Sequence, residues 1–105
     1  MIHRLFNRLL TLSLVLLAQH SHVGVPSDER QRQLLNLLEQ DCGSCHGMTL
    51  QGGLGPALLA GNIKEKSDQA LIETILNGRT GTAMPPWKAF LTQDEAAWLV
   101  SHLRK

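Results

Sequence analysis

The string Cys42-Gly43-Ser44-Cys45-His46 constrains this chain more than any other stretch of it. These are the two cysteines of the sequence, so no network of disulfides can hold the fold. The thiols stand three positions apart, and an imidazole follows at once. At the end of a helix, two thiols so spaced can each join one vinyl group of the same porphyrin. The next side chain is then held beneath the iron. C-x-x-C-H is accordingly the attachment sequence of c-type haem. This reading makes Cys42 and Cys45 the covalent anchors of one haem c, and His46 an axial ligand of its iron. Two plainer readings compete. A bare C-x-x-C is a redox pair in thioredoxin-like folds, but no βαβ pattern surrounds this one. It could also be half of a zinc site, but there is no second cysteine pair, and the next histidine along the chain is His102.

A haem also answers a problem of size. The 105 residues make one small domain, and so short a chain gains only about 3–5 kcal/mol from its own core. Aromatic side chains are few: Phe6, Phe90, Trp87 and Trp98, with no tyrosine. An apolar porphyrin would fill the interior that these residues leave short. Ten basic residues against nine acidic ones leave no strong field for nucleic acid or an anionic membrane surface.

The chain opens on His3, Arg4 and Arg8, then an apolar run from Leu9 to Ala18 interrupted by Thr11 and Ser13. A membrane-crossing helix needs about 17–25 apolar residues, and this run is too short. We read residues 1–25 as a signal peptide and 26–105 as the working domain. Neither Ala18 nor Gly24 completes a small-x-small cleavage site, so retention as an anchor is the alternative, and membrane contact is expected only in that case. Export places the domain in the bacterial periplasm, where c-type haem is attached. Loss of Arg4 and Arg8 leaves more acidic than basic residues, a mildly acidic domain.

Beyond Pro26 the pattern is all-helical. Ser27 can cap a helix whose first turn holds Asp28 and Glu29, and Leu34, Leu35, Leu37 and Leu38 recur on one face, predicting a helix over about 28–42. Gly47 to Gly61 contains Gly52, Gly53, Gly55 and Pro56 and reads as loop. A second helix begins after Ser67, carries Leu71, Ile72, Ile75 and Leu76, and stops at Asn77-Gly78. Arg79 to Phe90 is loop again. Thr92 and Glu95 form a capping box for a last helix with Ala96, Leu99, Val100 and Leu103. Loops this long in so small a domain are usually functional.

The second loop contains Gly81-Thr82-Ala83-Met84-Pro85-Pro86-Trp87, a stiff segment able to present a thioether inward. Met84 is the candidate second axial ligand, and Met/His ligation raises the potential of haem iron. Met48 lies two residues after His46, a reach of only about 7 Å, and cannot climb to the opposite face of the ring. The bland reading of Met84 is a core-filling side chain. Arg79 and Trp87 flank the ligand loop and could each donate to a haem propionate, though an exposed arginine and a core tryptophan explain them equally well. His3, His20 and His22 belong to the leader, and His102 reads as a solvated side chain.

The order of helix, C-x-x-C-H-G, Gly55-Pro56-x-Leu58, helix, Met-Pro-Pro loop and final helix resembles class I cytochrome c over about residues 28–104. The resemblance implies a small all-α fold of three to four helices wrapped around one covalently bound haem. It also implies that the Pro56 carbonyl accepts from the proximal imidazole, fixing its tautomer, and that first and last helices cross through Leu34 and Leu38 against Trp98 and Leu99. Many members carry glycine and an aromatic residue where this chain has Leu34 and Leu38. The longer strings QDCGSCHG, LQGGLGPALL, ILNGR and GTAMPPW resemble the cytochrome c55X group, found with haem cd1 nitrite reductase in denitrifying bacteria. That likeness implies an electron donor to the reductase, or a redox or handling factor in maturation of its d1 haem. With His46 and Met84 both on the iron, substrate chemistry is blocked and outer-sphere electron transfer remains, so a carrier rather than an enzyme is expected. A haem edge rimmed by Ala57, Met48 and the Met84 loop would dock redox partners weakly. Monomer is the default for so small a carrier.

Overall fold

The computed structural model describes residues 24–105. The leader read over 1–25 lies outside the described residues except for Gly24 and Val25. The described part is built of helices, with no strand among the described residues. Ser27 starts α1 (Asp28–Leu37): its hydroxyl accepts from the Arg30 amide at 3.2 Å, and Asp28 and Glu29 sit at the positive helix end. The helical rod does not stop at residue 42, where the periodicity placed its end. It passes through one wider turn of π type at Leu38–Cys42, closed by the Gly43 amide on the Leu38 carbonyl. It then resumes as α2 (Gly43–His46). Gly43 keeps ordinary helical angles, and Ser44 turns its hydroxyl onto the Asp41 carbonyl at 2.7 Å, so neither residue breaks the rod. Gly47, at φ +90°, ends it.

The glycine-rich stretch is loop as expected, except that its end forms a single turn, α3 (Ala60–Ile63). Local propensity gives no reason for a helix at Gly61-Asn62. The turn is held by the Asn62 amide on the Leu59 carbonyl at 2.8 Å and by burial of Ile63. The helix α4 (Asp68–Asn77) starts on the Ser67 hydroxyl, which accepts from the Ala70 amide at 3.1 Å, and ends at Gly78. The last helix, α5 (Gln93–Leu103), has the expected capping box. The Glu95 amide donates to the Thr92 hydroxyl at 3.2 Å, and the Thr92 amide donates to the Glu95 carboxylate at 3.0 Å.

Leu34 and Leu38 of the first rod meet Ile72 and Leu76 of α4 and Ala96, Leu99 and Val100 of α5 in one buried cluster, with Leu91 from the preceding loop. The expected pairing of Leu34 and Leu38 with Leu99 is therefore present, and Trp98 packs on the cluster from a half-buried position, its ring stacked on His102 at 5.6 Å. The smallest side chain of the cluster is Ala96, on α5. Leu35, read as part of the apolar face, is instead 38% exposed. On α4, Ile72 and Leu76 point into this core, whereas Leu71 and Ile75 line a cavity beside it. No helix among the described residues is long and apolar enough to cross a membrane.

One residue of α1, Arg30, holds the ends of the fold together. The Arg30 guanidinium pairs with Glu95 of α5 and donates to the Phe90 carbonyl at 3.1 Å. Glu95 thus serves as capping residue and as ion-pair partner. Burial acts to raise its carboxyl, but the hydrogen bonds from Arg30 and Thr92 outweigh that and hold it below its ordinary value of 4.5. The stability it contributes is complete above that value and is lost as pH falls through the lower folded one. Glu95→Gln keeps an acceptor for the cap but removes the charge. It is expected to cost about 1–2 kcal/mol at neutral pH and to flatten the loss of stability in acid. Urea unfolding of the haem-loaded variant and wild type at neutral and acid pH measures both effects.

Candidate haem-binding site

A cavity of ≈ 670 Å³ opens between the rod, α4, α5 and the two loops. Its size falls in the range of about 300–1,000 Å³ found for cofactor sites. The wall is mostly apolar: Leu38, Leu71, Ile75, Leu99, Val100 and Leu103 contribute to it. All seven residues singled out from the sequence border this one space: Cys42, Cys45, His46, Pro56, Arg79, Met84 and Trp87. Residues from both halves of the chain are brought together there.

The C-x-x-C-H string enters on the helical rod. The π turn ends at Cys42, so the angular step from Leu38, which faces both core and cavity, to the cysteines is set by that wider turn. Cys42 and Cys45 are half-buried and not joined to each other. Burial, with Asp41 beside it, pushes the Cys42 thiol up to about 11.

The His46 ring is fixed by its Nδ1, 2.7 Å from the Pro56 carbonyl. A carbonyl can only accept, so Nδ1 carries the proton and Nε2 keeps its lone pair. The loop that delivers Pro56 also closes the end of the rod. The Gly52 amide donates to the His46 carbonyl and the Gly55 amide to the Cys45 carbonyl, each at 2.8 Å. Glycine is required by close approach: a Cβ on Gly55 would lie 2.9 Å from the His46 ring, and one on Gly53 would lie 2.8 Å from the Cys45 carbonyl oxygen. Reading Gly53 and Gly55 only as loop residues missed their close approach to the rod and the imidazole. Their density right after the motif was the available signal.

Met84 is half-buried at the cavity. Its carbonyl accepts from the Arg79 amide at 3.2 Å. Gly78, read only as a helix stop, has φ +67°, and a Cβ there would come within 2.6 Å of the Met84 carbonyl oxygen. Trp87 is tied to α4 through its amide on the Ile75 carbonyl at 3.0 Å, and its ring lies 5.9 Å from that of Phe90. Arg79 is exposed at the cavity edge and makes no ion pair among the described residues. Met48, by contrast, does not border the cavity. It is 56% exposed and lies behind the rod, its sulfur 3.4 Å from where a Cβ on Gly43 would sit. Placing it at the rim beside Ala57 is corrected on that ground, for Ala57 and the Met84 loop do border the space.

The donor set fits a haem: two thiols, an imidazole with a free Nε2 and a thioether surround an apolar cavity of cofactor size. The family described as "Cytochrome C oxidase, cbb3-type, subunit III" matches residues 29–103. Cytochrome c55X of Pseudomonas aeruginosa is 53% identical over 78 residues, 74% of this chain and 66% of that protein. Cytochrome c55X of Paracoccus denitrificans is 45% identical over 96 residues, 91% of this chain and 93% of that protein. Among solved structures, the c-type cytochrome NirC superposes with a TM-score of 0.74 at 52% identity, over 75% of this chain and 93% of that one. Dihydro-heme d1 dehydrogenase NirN in complex with DHE superposes at 0.63 and 34% identity, over 68% of this chain and 15% of that one. The chain belongs to the c-type cytochromes, in the cytochrome c55X family, and is a small all-α electron-transfer protein with one covalently bound haem c.

Proposed function

We propose that this protein is a periplasmic electron carrier, not an enzyme, whose haem is anchored at Cys42 and Cys45 and ligated by His46 and Met84, and that it delivers electrons to haem cd1 nitrite reductase. The observation that carries the reading is the convergence of these four side chains on one apolar cavity, with the His46 Nε2 left free by the Pro56 bond. The haem, when bound, supplies the one-electron couple, and the residues of the chain do the rest. Pro56 orients the imidazole through its Nδ1, and the Met84 loop offers a soft donor. The aliphatic wall keeps water from the ring, so little charge reorganisation accompanies electron transfer. Arg79 and Trp87 border the same space, and the indole N–H of Trp87 has no protein acceptor among the described residues, so both can donate to propionates.

Family membership supports the partner, since the c55X group is the one the sequence resembles for its link with that reductase. A second reading, a role in making haem d1, is favoured by likeness to a domain-sized part of dihydro-heme d1 dehydrogenase. Mixing the reduced protein with oxidised nitrite reductase in a stopped-flow instrument, beside an unrelated cytochrome c, separates the two. Oxidation well above the control supports the donor role, and oxidation at the control rate points to d1-haem maturation or to another acceptor.

Met84→Ala is expected to lower the reduction potential by about 0.1 V or more, within the roughly 0.8 V over which axial ligands move haem potentials, and to let the reduced iron bind carbon monoxide. An unchanged potential would sink the ligand assignment. Trp87→Phe removes the indole N–H while keeping most of the ring volume. A shift in potential with little loss of stability is expected, and no change in either property would remove Trp87 from the propionate site.

A further inference from the structure

The loop that carries Met84 is closed by a ring of hydrogen bonds containing one side chain. The Arg79 amide donates to the Met84 carbonyl at 3.2 Å, and the Thr82 amide donates to the Arg79 carbonyl at 3.0 Å. The Thr82 hydroxyl completes the ring. It donates to the Arg79 carbonyl at 2.7 Å and accepts from the Met84 amide at 3.3 Å. Both backbone polar groups of Met84 are thereby held. Pro85 restricts Met84 further, since a residue before proline is pushed to extended backbone. The other bonds of the ring join backbone to backbone and exist whatever side chains the loop carries. The Thr82 hydroxyl is the part that a substitution can remove.

We propose that Thr82 is a positioning residue for the iron ligand. Its hydroxyl fixes the Met84 backbone where the thioether can reach the iron, and so governs how readily Met84 yields its place to an external ligand. The inference rests on Met84 being the axial ligand. The exchange it governs involves no electron transfer: an incoming imidazole nitrogen takes the position that the Met84 sulfur leaves. A residue that merely kept the loop folded would alter stability without altering that exchange.

The test is an optical titration of the ferric, haem-loaded protein with imidazole, in wild type and in Thr82→Val, Thr82→Ser, Thr80→Val and Met84→Ala. Thr82→Val is expected to bind imidazole about three- to tenfold more tightly than wild type, the factor that one hydrogen bond of ordinary strength supplies. Thr82→Ser keeps the hydroxyl and should return to the wild-type value. Thr80→Val, whose threonine makes no side-chain hydrogen bond among the described residues, should leave it unchanged. A Thr82→Val protein that binds like wild type, or a serine variant that behaves like valine, overturns the proposal. If wild type and Met84→Ala bind equally well, Met84 is not the ligand and the underlying reading fails. If only Met84→Ala binds more tightly, the ligand stands and the Thr82 brace fails. Should Thr82→Val not load haem, amide exchange in the wild-type protein decides. The Met84 amide should be protected relative to that of Ala83, which has no partner among the described residues, and equal exchange overturns the brace.

Discussion

The bond between the His46 ring and the Pro56 carbonyl, 2.7 Å long, is the contact on which the arrangement of the site depends. It joins the end of the helical rod to the loop that follows, and it sets which ring nitrogen is free. The loop can make it only because it lies against the rod's last turn, where its amides take up the Cys45 and His46 carbonyls. A helix ending at a site would otherwise leave those carbonyls without partners. Capping the helix and orienting the ligand are here the work of one glycine-rich segment. Its composition follows from closeness, since side chains on Gly53 or Gly55 would collide with the rod and the imidazole.

The cavity explains how so short a chain can be stable. Helices α4 and α5 divide their apolar residues between a small shared core and the cavity wall. Ile72 and Leu76 serve the first, Leu71 and Ile75 the second. The haem c of this family supplies apolar surface for the wall to bury. At about 25 cal/mol per Å² of apolar area, such burial is a large fraction of the few kcal/mol by which small domains are stable. The Arg30–Glu95 pair adds a polar clasp between the first rod and the last helix. At the other end of α5, Arg104 pairs with Asp68 at 2.6 Å and donates to the Lys66 carbonyl at 2.6 Å.

Electron transfer asks that the surroundings of the metal change little with its charge. The structure meets that demand in the backbone. Pro56 arrives on a loop held by five backbone hydrogen bonds to its own residues and the rod. Met84 arrives on a loop pinned at Gly78 and followed by two prolines. The two loops are held for different reasons: close packing of glycine on one side, restricted φ on the other.

Much of this was legible in the sequence because it is encoded locally. C-x-x-C-H states its chemistry in five adjacent residues, Thr92 and Glu95 mark a helix start by themselves, and the leucine and isoleucine spacing places the main helices. What the sequence did not show depends on atoms brought together from distant positions. The helix runs past residue 42 because a π turn absorbs the change of register at Leu38–Cys42. Leu35 is exposed although Leu34 and Leu38 are buried, since the rod meets a partner on one side. Met48 lies behind the rod, against Gly43. Arg30 became a clasp once α5 brought Glu95 to it. The sequence by itself determined the cofactor and the helices, because covalent spacing and periodicity need no partner. Tertiary structure alone decided which glycines are indispensable and what holds Met84 in place. Those are matters of distance between residues that the chain keeps far apart.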